Sequence, residues 1–236
     1  NPPEISINSP VAVENAGHVA LGNDATIYKE ESGTLDKDDK ISGKVIFTGV
    51  LQDDRKIASV KLKSSHSIKS SLTREEDVEV ASYDENTALL KTTAAAQAND
   101  AWKFEIVTEN SAQFSKSEGH RVEWKLTLDS SFVENTANND VIFTLSASDS
   151  SQTGNSGSAQ KKVDIVPYIT NIETSLSTIQ KGNPSVFDRT AYGHYAVSSS
   201  ETIKIYGYNL NGGSAVDKKG TSIQLGSETG TVYYTV

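Results

Sequence analysis

Two stretches of alternating sequence decide the fold class of this chain: Val122-Glu123-Trp124-Lys125-Leu126-Thr127-Leu128 and Val141-Ile142-Phe143-Thr144-Leu145-Ser146-Ala147. Every second residue in each is apolar, which is the period of a strand that buries one face and leaves the other in water. Similar runs occur at Ile41–Val50, Ile57–Leu62, Trp102–Ile106 and Val163–Ile165. Turn-rich spacers separate the runs. Seven or more strands with little helix predict an all-β chain built from sandwiches.

Two local details carry further expectations. Asp53-Asp54-Arg55-Lys56 is a short polar turn between the runs Ile41–Val50 and Ile57–Leu62, so we predict that these two strands pair with each other. The one helix-like window, Asn86–Asn99, contains three consecutive alanines and could form either a short helix or an alanine-rich loop.

The composition excludes several classes of protein. Hydrophobic residues make up 36% of the chain, below the roughly 45–50% usual for globular proteins, which suits thin sandwiches with one wet face per sheet. The formal charge of −9 argues against a nucleic-acid partner, because phosphates attract clustered Lys and Arg. The absence of cysteine excludes disulfides and thiolate metal sites. No apolar run approaches the 18 or so residues of a membrane helix, so no membrane insertion is expected in this segment.

A domain boundary is expected at Pro167, because this proline follows the last alternating run and a new run, Tyr168–Ile172, begins at once. The composition changes at the same place: of the nine tyrosines, seven lie at or after Tyr168. We therefore expect two domains, residues 1–166 and 167–236.

The second domain resembles the IPT/TIG family. A proline, the strand-like run Ile169–Ile172, a loop and then Glu201–Leu210 follow the order of that family, and its Gly-x-Asn-Leu hallmark matches Gly207, Asn209 and Leu210. The resemblance implies an Ig-like sandwich. It covers about 70 residues against about 100 for such a sandwich, which leaves open that the domain is truncated.

The first domain is similar to bacterial Ig-like modules that occur in arrays on large surface proteins. The similarity rests on Gly43–Val50, on the Asp53-Asp54 turn before Ile57–Leu62, and on Ala147-x-Asp149 with Gly154-Asn155 arriving late. Because the domain exceeds the usual size of about 100 residues, its loops must carry insertions. The two resemblances imply an extracellular or cell-surface location and a stalk, adhesion or ligand-presenting role without an activity of its own.

The sequence lacks a recognisable catalytic pattern, so we expect no enzyme. The four histidines lie in separate regions, and no nucleophile–base motif occurs. The most metal-like cluster is Asp36, Asp38 and Asp39, since calcium takes about six to eight oxygen ligands, often from closely spaced aspartates in a loop. The alternative is a solvated acidic turn, with Lys37 and Lys40 partly cancelling the charge. Asp53-Asp54 together with Asp149 form a second candidate calcium set, and no other cofactor is expected.

The candidate ligand-binding residues are Tyr206, Tyr208 and Tyr192. Tyr206 and Tyr208 alternate with isoleucines and therefore share one strand face, where they could stack on sugar rings or contact a partner protein. The alternative is that the connection Asn183–Val197, which contains Tyr192, covers them.

These observations predict a non-catalytic Ig-like segment of an exported bacterial surface protein, acting as a spacer and in adhesion or ligand binding. Its expected partners are a protein or glycan at the cell surface and the flanking domains of the same chain. The alternative is an accessory carbohydrate-binding domain pair of an exported polysaccharide-active enzyme.

Overall fold

The computed structural model describes residues 1–22, 37–69, 72–97, 100–107, 113–134, 140–174 and 203–210, and the backbone of two further strands at 222–225 and 232–235. The chain forms two compact units, Asn1–Val166 and Pro167–Val236. Strands make up most of the described residues of both units, so the predicted all-β class is confirmed. Within the described part of the chain, no helix has the length and apolar character needed to cross a membrane.

The first unit contains ten described strands. They are β1 (Glu4–Ile5), β2 (Val11–Ala20), β3 (Asp39–Asp53), β4 (Ile57–Ser64), β5 (Val78–Asp84), β6 (Leu89–Thr92), β7 (Trp102–Ile106), β8 (His120–Asp129), β9 (Asp140–Asp149) and β10 (Ser156–Ile165). A one-turn helix, α1 (Ala94–Gln97), follows β6, and a 3-10 turn, Ser130–Phe132, follows β8. The helix-like window thus holds a strand as well as a short helix.

The ten strands form one mixed sheet. Its order is β6-β5-β4-β9-β10-β3-β8-β7, with β1 and β2 also paired to β3. All pairs are antiparallel except β10 with β3, which is parallel. The two ends of the sheet approach each other, since the backbone N–H of Ile106 in β7 donates to Oγ1 of Thr92 in β6 at 3.1 Å. The sheet is therefore nearly closed around its core.

The sheet has two halves, β2-β3-β8-β7 and β10-β9-β4-β5-β6. Strand β3 pairs with strands of both halves. Its first residues, Asp39–Ile41, pair with β10, and residues from Lys44 to Asp53 pair with β8. The change occurs at Gly43, whose φ of +66° lies in the left-handed region that glycine adopts without the steric cost of a side chain. This bend carries the strand from one half of the core to the other.

The alternating runs bury the face that the sequence predicts. Residues 122, 124, 126 and 128 of β8 are buried, as are 141, 143, 145 and 147 of β9, while their neighbours are partly exposed. The side chains meet in pairs: Trp124 lies parallel to Phe104 with ring centroids 5.7 Å apart, and Phe47 contacts Phe143 at 5.5 Å. The core is thus a layer of aromatic and aliphatic side chains between the two halves.

The N-terminal segment, from Ser6 to Asn8, runs alongside β3 at Thr48 and Val50. The backbone N–H groups of Ser6 and Asn8 donate to the carbonyls of Val50 and Thr48 at 2.9 and 2.8 Å. A Cβ at Gly49 would lie 1.9 Å from the Ser6 carbonyl oxygen. The glycine at 49 is therefore required by the close approach of this segment.

The predicted pairing of Ile41–Val50 with Ile57–Leu62 is wrong. Strand β3 pairs with β8 and β4 pairs with β9 and β5, so the polar link is a corner between the two halves and not a hairpin turn. Asp53 forms the corner by accepting a hydrogen bond from the Arg55 N–H at 2.7 Å. The first N–H of β4, that of Ile57, is taken by a side chain of β8 instead of a carbonyl of β3.

The described residues of the second unit form two antiparallel strand pairs, β11 (Tyr168–Thr174) with β12 (Ile203–Tyr208), and β13 (Ser222–Leu225) with β14 (Val232–Thr235). A Cβ at Gly207 would lie 2.1 Å from the Tyr168 carbonyl oxygen, and Asn209 has a φ of +53°. Asparagine tolerates this left-handed conformation better than most residues. Close strand approach and a left-handed turn thus account for the glycine and the asparagine of the Gly-x-Asn-Leu pattern.

Candidate functional site

A row of charged residues crosses three adjacent strands where β3 begins and β10 ends. Lys40 of β3 lies directly opposite Asp164 of β10, and Asp164 lies directly opposite Asp140 of β9. Residues directly opposite on neighbouring strands project from the same face of a sheet. Lys40 and Asp164 form an ion pair whose side chains are only 7% and 8% exposed. The row therefore brings an amine and two carboxylates together, with the amine and one carboxylate out of water.

Two further charged residues, Lys162 and Asp38, lie beside this row. The Lys162 ammonium contacts the carboxylates of Asp38 and Asp140 at 2.7 and 2.8 Å. Hydrogen bonds to Asp140 and then to Asp38 raise the pKa of Lys162, so it stays charged at physiological pH. One oxygen from each of Asp38, Asp140 and Asp164 lies within 4.8 Å of the others. Three carboxylates and two lysines thus form one compact network.

The predicted calcium residues separate in the structure. Asp36 lies outside the described residues, and Asp38 belongs to the network just described. Asp39 is directed elsewhere: it accepts a hydrogen bond from the Gly22 N–H at 3.0 Å and pairs with Lys161 at 2.7 Å. Burial alone would raise the pKa of Asp39, but the bonds from Lys161 and Gly22 outweigh it and the pKa is lowered. Carboxylate oxygens at this spacing suit calcium, yet a lysine ammonium already lies between two of them.

Sequence reasoning did not find Asp140 or Asp164. Each lies more than 95 residues from Asp38, and only the register of β9, β10 and β3 joins them. The available signal was Asp164 between Val163 and Ile165. A charged residue inside an apolar strand run is uncommon and calls for a partner.

The second candidate calcium set occupies the corner between β3 and β4 and the loop after β9. Asp149 accepts hydrogen bonds from the N–H groups of Ser151 and Asn155, each at 3.0 Å, and from the Ser151 hydroxyl. The Ser151 hydroxyl, followed by the backbone and Asn155 bonds, lowers the pKa of Asp149. Burial raises the pKa of Asp53. Asp149 thus holds its own loop closed, and Asp53 shapes a corner.

The tyrosine face of the second unit consists of Tyr168, Tyr206 and Tyr208. Tyr208 lies opposite Tyr168 in the strand pair, and their rings are nearly parallel with centroids 6.5 Å apart. Tyr206 is 43% exposed. Tyr192, the third predicted residue, lies outside the described residues. Tyr168 was not predicted as a site residue, because its place beside Tyr208 depends on the register of β11 and β12.

Comparisons with known proteins do not extend this description. No protein-family model matches the chain, and no curated protein matches it. A solved structure of a DUF4466 family protein from Parabacteroides merdae ATCC 43184 is similar with 11% identity and a TM-score of 0.27. The match covers 94% of this chain and 65% of that protein, and a likeness at this level carries no functional argument. The structure itself defines an all-β protein of two units.

Proposed function

We propose that the chain is a non-catalytic Ig-like segment of an exported bacterial surface protein, acting as a spacer and in adhesion or ligand binding. The strand order of the first unit is the observation that carries the proposal. In an Ig-like sandwich one sheet has the order A-B-E-D and the other the order G-F-C, extended by C′ and C″ in variable-type domains. Within the one mixed sheet, the path β2-β3-β8-β7 has the strand order A-B-E-D, and the path β10-β9-β4-β5-β6 has the order G-F-C-C′-C″. This match of strand orders supports an Ig-like first unit.

The link between the units supports a serial arrangement of modules. Strand β10 ends at Ile165 and β11 begins at Tyr168, so two residues join the last described strand of one unit to the first of the next. A series of β-units is suited to a spacer segment of a surface protein, and loops held by a rigid scaffold commonly carry binding sites. The spacer role and the binding role can therefore reside in the same segment.

Surface location is the part of the proposal that can be tested most directly. Brief protease treatment of intact cells that produce the native full-length protein should release peptides of this chain, whereas a cytoplasmic marker protein stays protected. Protection of this chain until the cells are lysed would contradict the proposal.

The tyrosine face favours the second candidate function, an accessory carbohydrate-binding domain pair. Aromatic rings offer sugars an apolar surface with a polar edge, and Tyr206 is the most exposed aromatic residue of this face. Binding of the 236-residue chain to a panel of polysaccharides should then weaken at least tenfold in Tyr206→Ala. Val11→Ala is the matched control, because Val11 is also exposed, at 59%, but belongs to the first unit. Absence of polysaccharide binding by the unaltered chain would remove this candidate.

A further inference from the structure

Lys40 and Asp164 have the surroundings of a reactive pair. An ammonium and a carboxylate are costly to remove from water, and their mutual attraction repays that cost only with excellent geometry. Transfer of one proton from Lys40 to Asp164 converts the pair into a neutral amine and a neutral carboxylic acid, which burial favours. These are the nucleophile and the electrophile of amide formation. Their fixed contact supplies the proximity that such a reaction lacks in solution.

The geometry points to an intramolecular amide bond between Nζ of Lys40 and Cγ of Asp164, formed by the folded chain itself. The Nζ lone pair attacks Cγ of the protonated Asp164, and a tetrahedral intermediate forms. The nitrogen then loses a proton and the carbon loses a hydroxyl group, so that one water leaves and one amide remains. Nothing is oxidised or reduced, and no cofactor is consumed.

Asp140 is the residue that we assign to proton transfer. It lies directly across from Asp164 on β9, and its carboxylate lies within 4.8 Å of the Asp164 carboxylate. A carboxylate at this place can take the proton from the attacking nitrogen and return it to the departing hydroxyl group. The Lys162 ammonium, 2.8 Å from Asp140, holds that carboxylate in place.

The bond would join two strands that are otherwise held together by hydrogen bonds, packing and ion pairs such as that of Lys161 with Asp39. Lys40 lies at the start of β3, and Asp164 lies three residues before Pro167 at the end of β10. A covalent link between residues far apart in sequence restricts the unfolded chain strongly, as a disulfide does. The chain has no cysteine and therefore no disulfide, but its composition permits an amide cross-link. This inference does not depend on the proposed surface role.

Intact-mass spectrometry of the purified, denatured 236-residue chain tests the inference. We expect a mass one water below that of the sequence, and a digest in which one cross-linked species contains both Lys40 and Asp164. The full sequence mass, or a water loss that maps to other residues, would overturn it. Lys56 and Glu85 are the internal control, because they also form a close ion pair but Glu85 is 75% exposed. No cross-link should join them.

Four variants test which residues form the amide and which residue transfers the proton. Lys40→Arg keeps the charge but cannot form the amide, so it should have its full sequence mass. Asp164→Asn should lose ammonia instead of water and reach the same final mass as the unaltered chain, which tests the chemistry even if Lys40→Arg does not fold. Asp140→Asn should slow the mass change at least tenfold, and an unchanged rate would overturn the role of Asp140. Lys56→Arg should still lose one water.

Discussion

The backbone N–H of Ile57, the first residue of β4, donates a hydrogen bond to Nδ1 of His120, the first residue of β8, at 3.0 Å. His120 is completely buried and meets the rings of Tyr83 and Phe114 at close to right angles. Because Nδ1 accepts this bond, the neutral imidazole carries its proton on Nε2. A side chain of one half of the core thus satisfies the backbone of the other half at the corner where the chain crosses.

We predict that His120→Ala destabilises the first unit. The substitution leaves the buried Ile57 N–H without its acceptor, which costs about 1–3 kcal/mol, and the cavity left by the imidazole adds to this cost. Urea unfolding followed by tryptophan fluorescence measures the change. His120→Asn is the matched control, because its side-chain oxygen lies near the position of Nδ1 and should recover part of the loss. Equal unfolding midpoints for His120→Ala and the unaltered chain would show that the bond does not stabilise the corner.

The corner also explains which part of the fold the sequence could predict. Alternation over Val122–Leu128 and Val141–Ala147 identified both buried faces, because burial imposes the period of two directly. It could not identify partners: a short polar link between two runs is compatible with a hairpin and with a crossing between layers. The hydrogen bond from the Ile57 N–H to His120 belongs to the crossing between layers, and the two residues lie 63 positions apart in the sequence.

Two of the strands that were not predicted from the sequence, β2 and β6, lack a strong alternating signal. Strand β2, Val11–Ala20, is mostly exposed or half-buried along its length and shows no strict period. Strand β6, Leu89–Thr92, lies within the alanine-rich window whose local preference is helical. Pairing with β3 and with β5 determines these strands. The row of Lys40, Asp164 and Asp140 could not be predicted either, because only the register of β3, β10 and β9 brings these residues together.

Trp124→Ala should destabilise the first unit by about 3–5 kcal/mol, the range for truncation of a large core side chain. Trp124 is 2% exposed and lies in the middle of β8 against Phe104. Thr127→Ala on the same strand is the control, because Thr127 lies on the other, partly exposed face and should change the free energy of unfolding by less than about 1 kcal/mol. Similar losses in both variants would contradict the assignment of the two faces.

Gly49→Ala should release the N-terminal segment. The new Cβ would lie 1.9 Å from the Ser6 carbonyl oxygen and 2.7 Å from a ring atom of Trp124, so the segment or the ring must move. Hydrogen exchange measures the outcome: the amides of Ser6 and Asn8, which bond to β3, should exchange faster. The amide of Val122, inside β8, should keep its protection. Unchanged exchange at Ser6 and Asn8 would show that the chain absorbs the methyl group elsewhere.

Asp53 and Asp149 should give stability opposite dependences on pH. Burial raises the pKa of Asp53 above its unfolded value of about 3.9. Asp53 therefore favours the folded state while it is protonated, and this contribution is lost as pH rises through its folded pKa. Asp53→Asn, which keeps an acceptor for the Arg55 N–H, should raise the thermal midpoint at pH 7 and have little effect at pH 3.

The bonds from Ser151 and Asn155 lower the pKa of Asp149. The contribution of Asp149 to the free energy of unfolding is present above the unfolded pKa of this group, and it is lost as pH falls through the lower folded pKa. Asp149→Asn should therefore lower the midpoint at pH 7, with a difference that shrinks in acid. Shifts of the same sign in both variants would contradict this account of the two carboxylates.

Calcium binding by Asp38 stays a prediction, and the structure places Asp140 and Asp164 beside it as further candidate ligands. Oxygens bound to one calcium ion lie about 2.3–2.6 Å from it, and the oxygens of Asp38, Asp140 and Asp164 are close enough together to fit. The amide proposed above would leave a carbonyl oxygen at residue 164, which calcium also accepts. Saturating calcium, at about 100 times its dissociation constant, should then stabilise the folded chain by about 2.7 kcal/mol. Magnesium should stabilise it much less, and Asp38→Asn should abolish the difference.

The lysines decide where such an ion would bind. The Lys162 ammonium contacts Asp38 and Asp140 and therefore competes with a cation there, whereas Lys161 contacts Asp39. If the ion binds among Asp38, Asp140 and residue 164, Lys162→Gln should increase the calcium-induced rise in thermal midpoint and Lys161→Gln should not. The reverse result would place the ion at Asp39. Identical melting in calcium and in chelator for all three chains would contradict the calcium prediction.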